Sequence, residues 1–353
     1  MRVLIIADDL TGALDSAVTF TGAGLRCVVA RRPGDVASAL GRRPDVLSVS
    51  TASREGSAAA ARAAVGAALD AVGDLPEIVL KKVDSRLKGH VAAEVAVVAE
   101  RSGRSRVLVA PAIPAQGRTV MNGQLAGTGV AAPIDVAAAI AGFGLEPEVP
   151  DTRTDADLDA ALGRVRDGPP ALLVGAAGLA AAVARRMAVG AWSTPAPPLR
   201  APILLAIGSR DPITMTQVDR LAAAGTATIA VAADGVCPPS APGRAQLVRL
   251  VAADGRPFDA RAAGARFAEG IAQLVRAGGV RTLLVCGGET ADAILAGLGQ
   301  GVLAIDGEVL PGIPASSILL GKRRLQLVTK SGGFGGEDAL VSIVATARLQ
   351  EGS

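Results

Sequence analysis

The sequence predicts an α/β protein of two domains, each a mainly parallel sheet flanked by helices, with a ligand cleft between them. Three observations predict it. Short apolar runs alternate with helix-length stretches along almost all of the 353 residues. Those runs are apolar without interruption, which is the pattern of strands buried on both faces. One segment breaks the alternation. Residues 190–202 hold Trp192, Ser193, Thr194 and four prolines, a composition that reads as an extended linker. The division is therefore expected near residue 198, giving domains 1–198 and 199–353.

In the first half, strand-like runs lie at residues 3–7, 26–30, 46–50, 78–82, 106–110 and 171–174. Alanine-rich stretches at 57–72 and 91–101 carry a 3.6-residue apolar period and predict helices. After the linker, strands are expected at 203–207, 226–231, 247–251, 282–286, 302–305, 318–320 and 325–329. No internal repeat of 20–50 residues is visible.

Composition excludes several classes. Half the residues are apolar and a fifth are charged, and the net charge of +3 is too small to argue for nucleic acid. Five Phe, one Trp and no Tyr give little with which to stack bases. No long run combines large apolar side chains with freedom from charge and helix breakers, so no membrane span is expected. The chain opens directly on a strand, with no secretory signal. Three widely spaced cysteines, Cys27, Cys237 and Cys286, suggest reduced thiols and a cytoplasmic location. With His90 alone and no Cys pair at ligand spacing, no zinc site and no other protein-held metal are expected.

Polar residues of the first half cluster where strands end. The first run ends in Asp8-Asp9 before Leu10-Thr11-Gly12, and the third in Ser50-Thr51-Ala52-Ser53-Arg54. The fourth ends in Lys81-Lys82-Val83-Asp84-Ser85, and the fifth in Ala110-Pro111 with Gly117-Arg118-Thr119 beyond. In a parallel sheet these ends sit side by side, where α/β proteins hold ligands. Carboxylates, Arg and Lys would then converge on a pocket suited to a small, hydroxylated anion. Each residue also has a plain structural reading. Asp9 or Thr11 reads as a helix N-cap, Asp84 as a turn residue, Arg54 as a solvated loop charge. At least one of Lys81 and Lys82 should face solvent or a salt bridge. His90 reads as a helix-surface residue.

The second half holds three glycine turns. Residues 203–207 run into Gly208-Ser209-Arg210-Asp211-Pro212. Residues 282–286 run into Gly287-Gly288-Glu289-Thr290. Residues 325–329 run into Lys330-Ser331-Gly332-Gly333-Phe334-Gly335. A strand, a glycine turn and a helix start present bare N–H groups to an anion, so three of them point to phosphate. Lys330-Ser331 resembles the end of a Walker A loop but lacks its upstream spacing, and no G-x-G-x-x-G follows a strand. Glu289 and Thr290 read as helix-start residues or as ligands to a metal-bound phosphate.

Taken in order, these motifs resemble the four-carbon acid sugar kinases, an ATP-dependent family acting on threonate, erythronate and oxo-tetronates. The resemblance rests on 6–13, 81–85 with Lys88-Gly89, 110–112 through 117–119, Gly208-Ser209 with Pro212, 287–291, 311–314 and 330–335. It implies that Asp9, Arg54, Lys82, Val83, Asp84 and Ser85, with Asp8 beside them, hold the sugar acid. Asp9 is expected to be the catalytic base, with Asp84 the next candidate and Asp8 a further one. Ser209, Gly287, Gly288, Glu289, Thr290 and a glycine of Gly332-Gly333 would hold ATP, next to Lys330 and Ser331, with Mg²⁺ bridging phosphate oxygens. Arg54 or Lys82 is expected to take the acid's carboxylate. A homodimer is left open. The chain is shorter than is usual for the family, passing into Ala-rich sequence soon after Leu125. Two rival readings are a dinucleotide-dependent oxidoreductase and a non-catalytic sugar-acid sensor.

Overall fold

Apolar strands that are inaccessible on both faces form the frame of each half of the chain. The computed structural model describes all residues except 143, 145, 166–167, 240–242, 254–257 and 350–353. They fall into two units, Met1–Thr194 and Pro195–Ser353.

The first unit runs β1 (Val3–Ala7), α1 (Leu10–Val18), β2 (Cys27–Ala30), α2 (Val36–Leu40), β3 (Val46–Ser50), α3 (Ala58–Val72), β4 (Ile78–Lys82) and α4 (Val91–Ser102). It continues through β5 (Val107–Ala110), β6 (Arg118–Met121), β7 (Gln124–Gly127), β8 (Ile134–Asp135), β9 (Pro147–Glu148), α5 (Asp155–Arg164), β10 (Leu172–Gly175) and α6 (Ala177–Met187). Seven strands make one parallel sheet in the order β2-β3-β1-β4-β10-β5-β9. β1 is central and wholly buried, as five consecutive apolar residues require. Ala7 lies opposite Ser50 on one side and Lys82 on the other. Gly175 lies opposite Lys82 and Ala110. The ends of β3, β1, β4, β10 and β5 therefore form one row. β10 separates β4 from β5, so the fifth run's polar end stands one strand further from Lys82 than adjacency in sequence suggests.

β6, β7 and β8 form a small antiparallel sheet. It went unread in the sequence because its strands are short and mixed in polarity. Helix starts follow local chemistry: Asp9 caps α1 and Ser57 caps α3, each accepting a backbone N–H one turn on.

The second unit runs β11 (Ile203–Ile207), α7 (Pro212–Ala223), β12 (Thr228–Ala233), β13 (Ala245–Val251), α8 (Ala260–Arg276), β14 (Thr282–Cys286), α9 (Gly288–Gly297), β15 (Val302–Leu310), β16 (Ile313–Leu320), β17 (Arg323–Lys330) and α10 (Ala339–Leu349). The order is β12-β13-β11-β14-β17-β16-β15. The strands from β12 to β17 pair in parallel, and β17, β16 and β15 are antiparallel. β15 alternates between buried and half-buried residues, so a search for unbroken apolar runs found only its first residues. Ile207 lies opposite Cys286, and Cys286 opposite Lys330. This register brings the three glycine turns together. No helix among the described residues is long and apolar enough to cross a membrane.

Candidate active site

The row of strand ends in the first unit gathers a charged cluster. Asp8 follows β1 and is almost fully buried. Arg54, on the loop after β3, closes a fork on it: Nε donates to Oδ2 and Nη2 to Oδ1, both at 2.8 Å. Its Nη1 donates to Asp9 Oδ2, also at 2.8 Å. Asp9 accepts further from Thr11 Oγ1 at 2.7 Å and from the Gly12 N–H at 2.8 Å. The N-cap reading of Asp9 is correct as far as it goes, but the same carboxylate also joins the cluster. Burial raises the Asp8 pKa. The Arg54 hydrogen bonds and the charges of Lys81, Arg54 and Lys82 outweigh it and hold the carboxyl below its usual value. Gly89 is required here by close approach. Its φ is +90°, and a Cβ would lie 3.1 Å from Asp8 Oδ2.

β4 ends in two buried lysines that point to opposite faces, as successive strand residues must. Lys81 reaches Glu94 of α4 at 2.7 Å and donates to the Lys82 carbonyl. Glu94 also accepts from Ser53 Oγ at 2.6 Å, and Ser53 meets Thr51 at 2.7 Å. This chain braces the loop that carries Arg54. A buried ion pair is costly unless further hydrogen bonds support it, and here the Lys82 carbonyl supports Lys81 and Ser53 supports Glu94.

Lys82 faces α1. Its Nζ is 3.7 Å from Asp15 Oδ1 and makes no hydrogen bond among the described residues. Burial lowers its pKa, but Asp15, Asp9 and Asp8 outweigh that and keep the ammonium charged. Burial pushes Asp15 up to about 6, with Lys82 pulling the other way. Beyond β4, Asp84 Oδ1 accepts the Arg86 N–H at 2.9 Å, as a turn carboxylate does. Its other oxygen lies 3.9 Å from Arg54 Nη1 and accepts no hydrogen bond among the described residues. Ser85 Oγ accepts from Arg118 Nη1 at 2.6 Å. Val83 is buried, and its N–H donates to the Gly175 carbonyl at 3.0 Å.

The three glycine turns of the second unit pack on one another. Gly208 and Ser209 N–H donate to the Cys286 carbonyl, and Gly287 N–H donates to that of Lys330. α9 begins with Gly287, which has no side chain to cap it, and α2, α4 and α6 likewise begin without a side-chain cap. The N–H groups of Gly288, Glu289 and Thr290 fall in the first turn of α9, where no carbonyl lies one turn back. Gly332 sits against Ser209 and Asp211 so closely that a Cβ would collide with Ser209 Oγ. Gly333 is looser, its nearest neighbour being Asp211 Oδ2 at 3.4 Å.

Lys330 differs from the other residues read as nucleotide ligands. It is fully buried, and Nζ donates to Thr214 Oγ1 at 3.2 Å and to the Ser331 and Gly332 carbonyls, both at 3.1 Å. An ammonium has three hydrogens, so all are committed inward. Sequence reasoning passed over Asp15, Glu94, Thr214 and Gln217. Asp15, Thr214 and Gln217 sit within helices and Glu94 in the first turn of another, with nothing local to mark them.

Comparison with known proteins gives two family-model matches. Residues 3–136 match a sugar-binding N-terminal domain and residues 239–340 a nucleotide-binding C-terminal domain. A D-threonate kinase of Bordetella bronchiseptica is 32% identical over 98% of this chain and 97% of its own. A 3-oxo-tetronate kinase of Pseudomonas fluorescens is 26% identical over 94% of both. The first alignment runs to 401 positions against a chain of 353 residues, so that relative carries insertions. A crystal structure of a Haemophilus influenzae protein shares the fold, with a TM-score of 0.70 at 20% identity over 98% of this chain and 99% of that one.

Proposed function

The chain belongs to the four-carbon acid sugar kinase family, and from that premise we propose that it transfers the γ-phosphoryl group of ATP to a hydroxyl of a four-carbon sugar acid, with D-threonate the first candidate. The observation that carries this reading is the row of strand ends around Lys82. There a buried ammonium that makes no hydrogen bond among the described residues stands 3.7 Å from Asp15, with the charges of Asp9 and Asp8 also acting on it, a constellation suited to an acid that also bears hydroxyls.

Lys82 takes the substrate carboxylate. Arg54 does not, because its fork is filled by Asp8 and a third N–H is spent on Asp9. Asp84 accepts the proton of the attacking hydroxyl, since both oxygens of Asp8 and of Asp9 already accept hydrogen bonds, whereas Asp84 Oδ2 has Arg54 Nη1 no nearer than 3.9 Å. Asp9 orients a hydroxyl. As the proton passes to Asp84, the hydroxyl oxygen bonds to the γ-phosphorus, the bond to the β–γ bridging oxygen breaks, and ADP leaves. Such transfer asks mainly for alignment and charge neutralisation.

The uncapped start of α9 and the Gly332-Gly333 turn face the phosphates, with Ser209 and Ser331 beside them. Magnesium, when bound, supplies charge neutralisation. Magnesium of this kind is typically held mostly by phosphate oxygens and water, with few protein groups. Asp211 and Glu289 are the carboxylates at these turns. The protein works in the cytoplasm on this reading. The kinase relatives favour neither the oxidoreductase nor the sensor.

An ADP-release assay over D-threonate, D-erythronate and 3-oxo-tetronate tests the proposal. Acid-dependent ADP release with at least one is expected. A chain that binds an acid but releases no ADP with any of them is a sensor instead.

A further inference from the structure

Three buried side chains hold the loop at 331–336 by its carbonyls. Thr214 Oγ1 donates to the Gly332 carbonyl at 2.6 Å. Gln217 Nε2 lies 3.1, 3.2 and 2.8 Å from the carbonyls of Phe334, Gly335 and Gly336. Lys330 Nζ donates to those of Ser331 and Gly332. All three side chains are fully buried, and Thr214 and Gln217 are three residues apart on one face of α7. Five carbonyls of one loop are thus drawn toward the interior.

The consequence follows from peptide geometry. In a trans peptide the C=O of one residue and the N–H of the next point in opposite directions. Carbonyls of 331, 332, 334, 335 and 336 turned inward leave the N–H groups of Gly332, Gly333, Gly335, Gly336 and Glu337 turned outward. Successive N–H groups facing one way make an anion cradle. Gln217 adds a second observation. Its Oε1 is buried with no partner, and such a group is costly unless something else requires it. Three carbonyl acceptors around the other atom fix it as the amide nitrogen.

We propose that Thr214, Gln217 and Lys330 are positioning residues that hold the 331–336 loop with its amides toward the ATP phosphates. Lys330 acts through the loop and does not touch nucleotide. This inference rests on the kinase reading above.

Isothermal calorimetry with ATP and with the preferred four-carbon acid tests it on wild type and two variants. Gln217→Glu sets a carboxylate against three carbonyls. Gln217→Met removes the donor while keeping the length, and serves if the first variant does not fold. The expected result is at least a tenfold loss of ATP affinity with acid affinity within twofold of wild type. Unchanged ATP affinity overturns the clamp, and so does an equal loss for both ligands, which would mark a merely structural role. Absence of ATP binding in wild type would instead sink the kinase reading, and the clamp with it.

Discussion

Arg54 grips Asp8 with two parallel hydrogen bonds of 2.8 Å across 46 residues of sequence. Lysine cannot copy that fork. Arg54→Lys is therefore expected to cost about 2 kcal/mol of stability, the scale of a lost charge-assisted bond to a buried carboxylate, and to lower kcat as Asp8 and Asp9 lose their orientation. Urea unfolding and steady-state kinetics check this. If Arg54 instead held the substrate, stability would stay unchanged and only the KM for the acid would rise.

On the proposed reading, Lys82 takes the substrate carboxylate. Lys82→Met should raise the KM for the acid at least tenfold, about 1.4 kcal/mol, and leave the KM for ATP unaltered. A silent variant would remove Lys82 from the binding role.

Asp84→Asn deletes the proposed base and should lower kcat by roughly 10²–10⁴. Asp9→Asn should also lower kcat, because it disturbs the hydroxyl's orientation and the Arg54 contact. ATP affinity should hold in both. Near-normal turnover of Asp84→Asn beside an inactive Asp9→Asn would transfer the base role to Asp9.

Gly333 has room for a side chain, its nearest neighbour being Asp211 Oδ2 at 3.4 Å. Gly333→Val should fold, lose ATP affinity and keep acid affinity. Calorimetry showing full ATP affinity would make this turn structural only.

Stability should depend on pH in two windows of opposite sign. The Asp8 pKa is lowered in the folded state, so its contribution is present above 3.8 and lost as pH falls through the folded value. That of Asp15 is raised from 3.8 to about 6. The folded state then binds the extra proton, and stability falls as pH rises from 3.8 to about 6. Asp15→Asn should flatten the urea midpoint over that second window alone. An unchanged slope there would show that Asp15 titrates normally.

Much of this was legible in the sequence, for identifiable reasons. Asp8, Asp9, Lys82 and Asp84 stood out because polar residues end apolar strands, and parallel pairing aligns those ends. The glycine turns stood out for the same reason. What Arg54 touches was not legible, since its partners lie 45 and 46 residues away and only the register of β1 with β3 brings them together. Gln217 looked like any polar residue of a helix. Lys330-Ser331 looked like a phosphate motif, yet the ammonium sits fully buried beneath the turn, and no local pattern distinguishes a lysine above a loop from one below it. β10's place between β4 and β5 depends on a crossover that strand propensity does not encode.

The most direct measurement of the central claim is phosphorus NMR of a reaction containing the protein, ATP, magnesium and D-threonate or its four-carbon relatives. A new phosphomonoester signal is expected that grows in step with ADP and shows coupling to protons of the sugar acid. ADP accompanied only by inorganic phosphate, or no change in the ATP signals with any four-carbon acid, would contradict it.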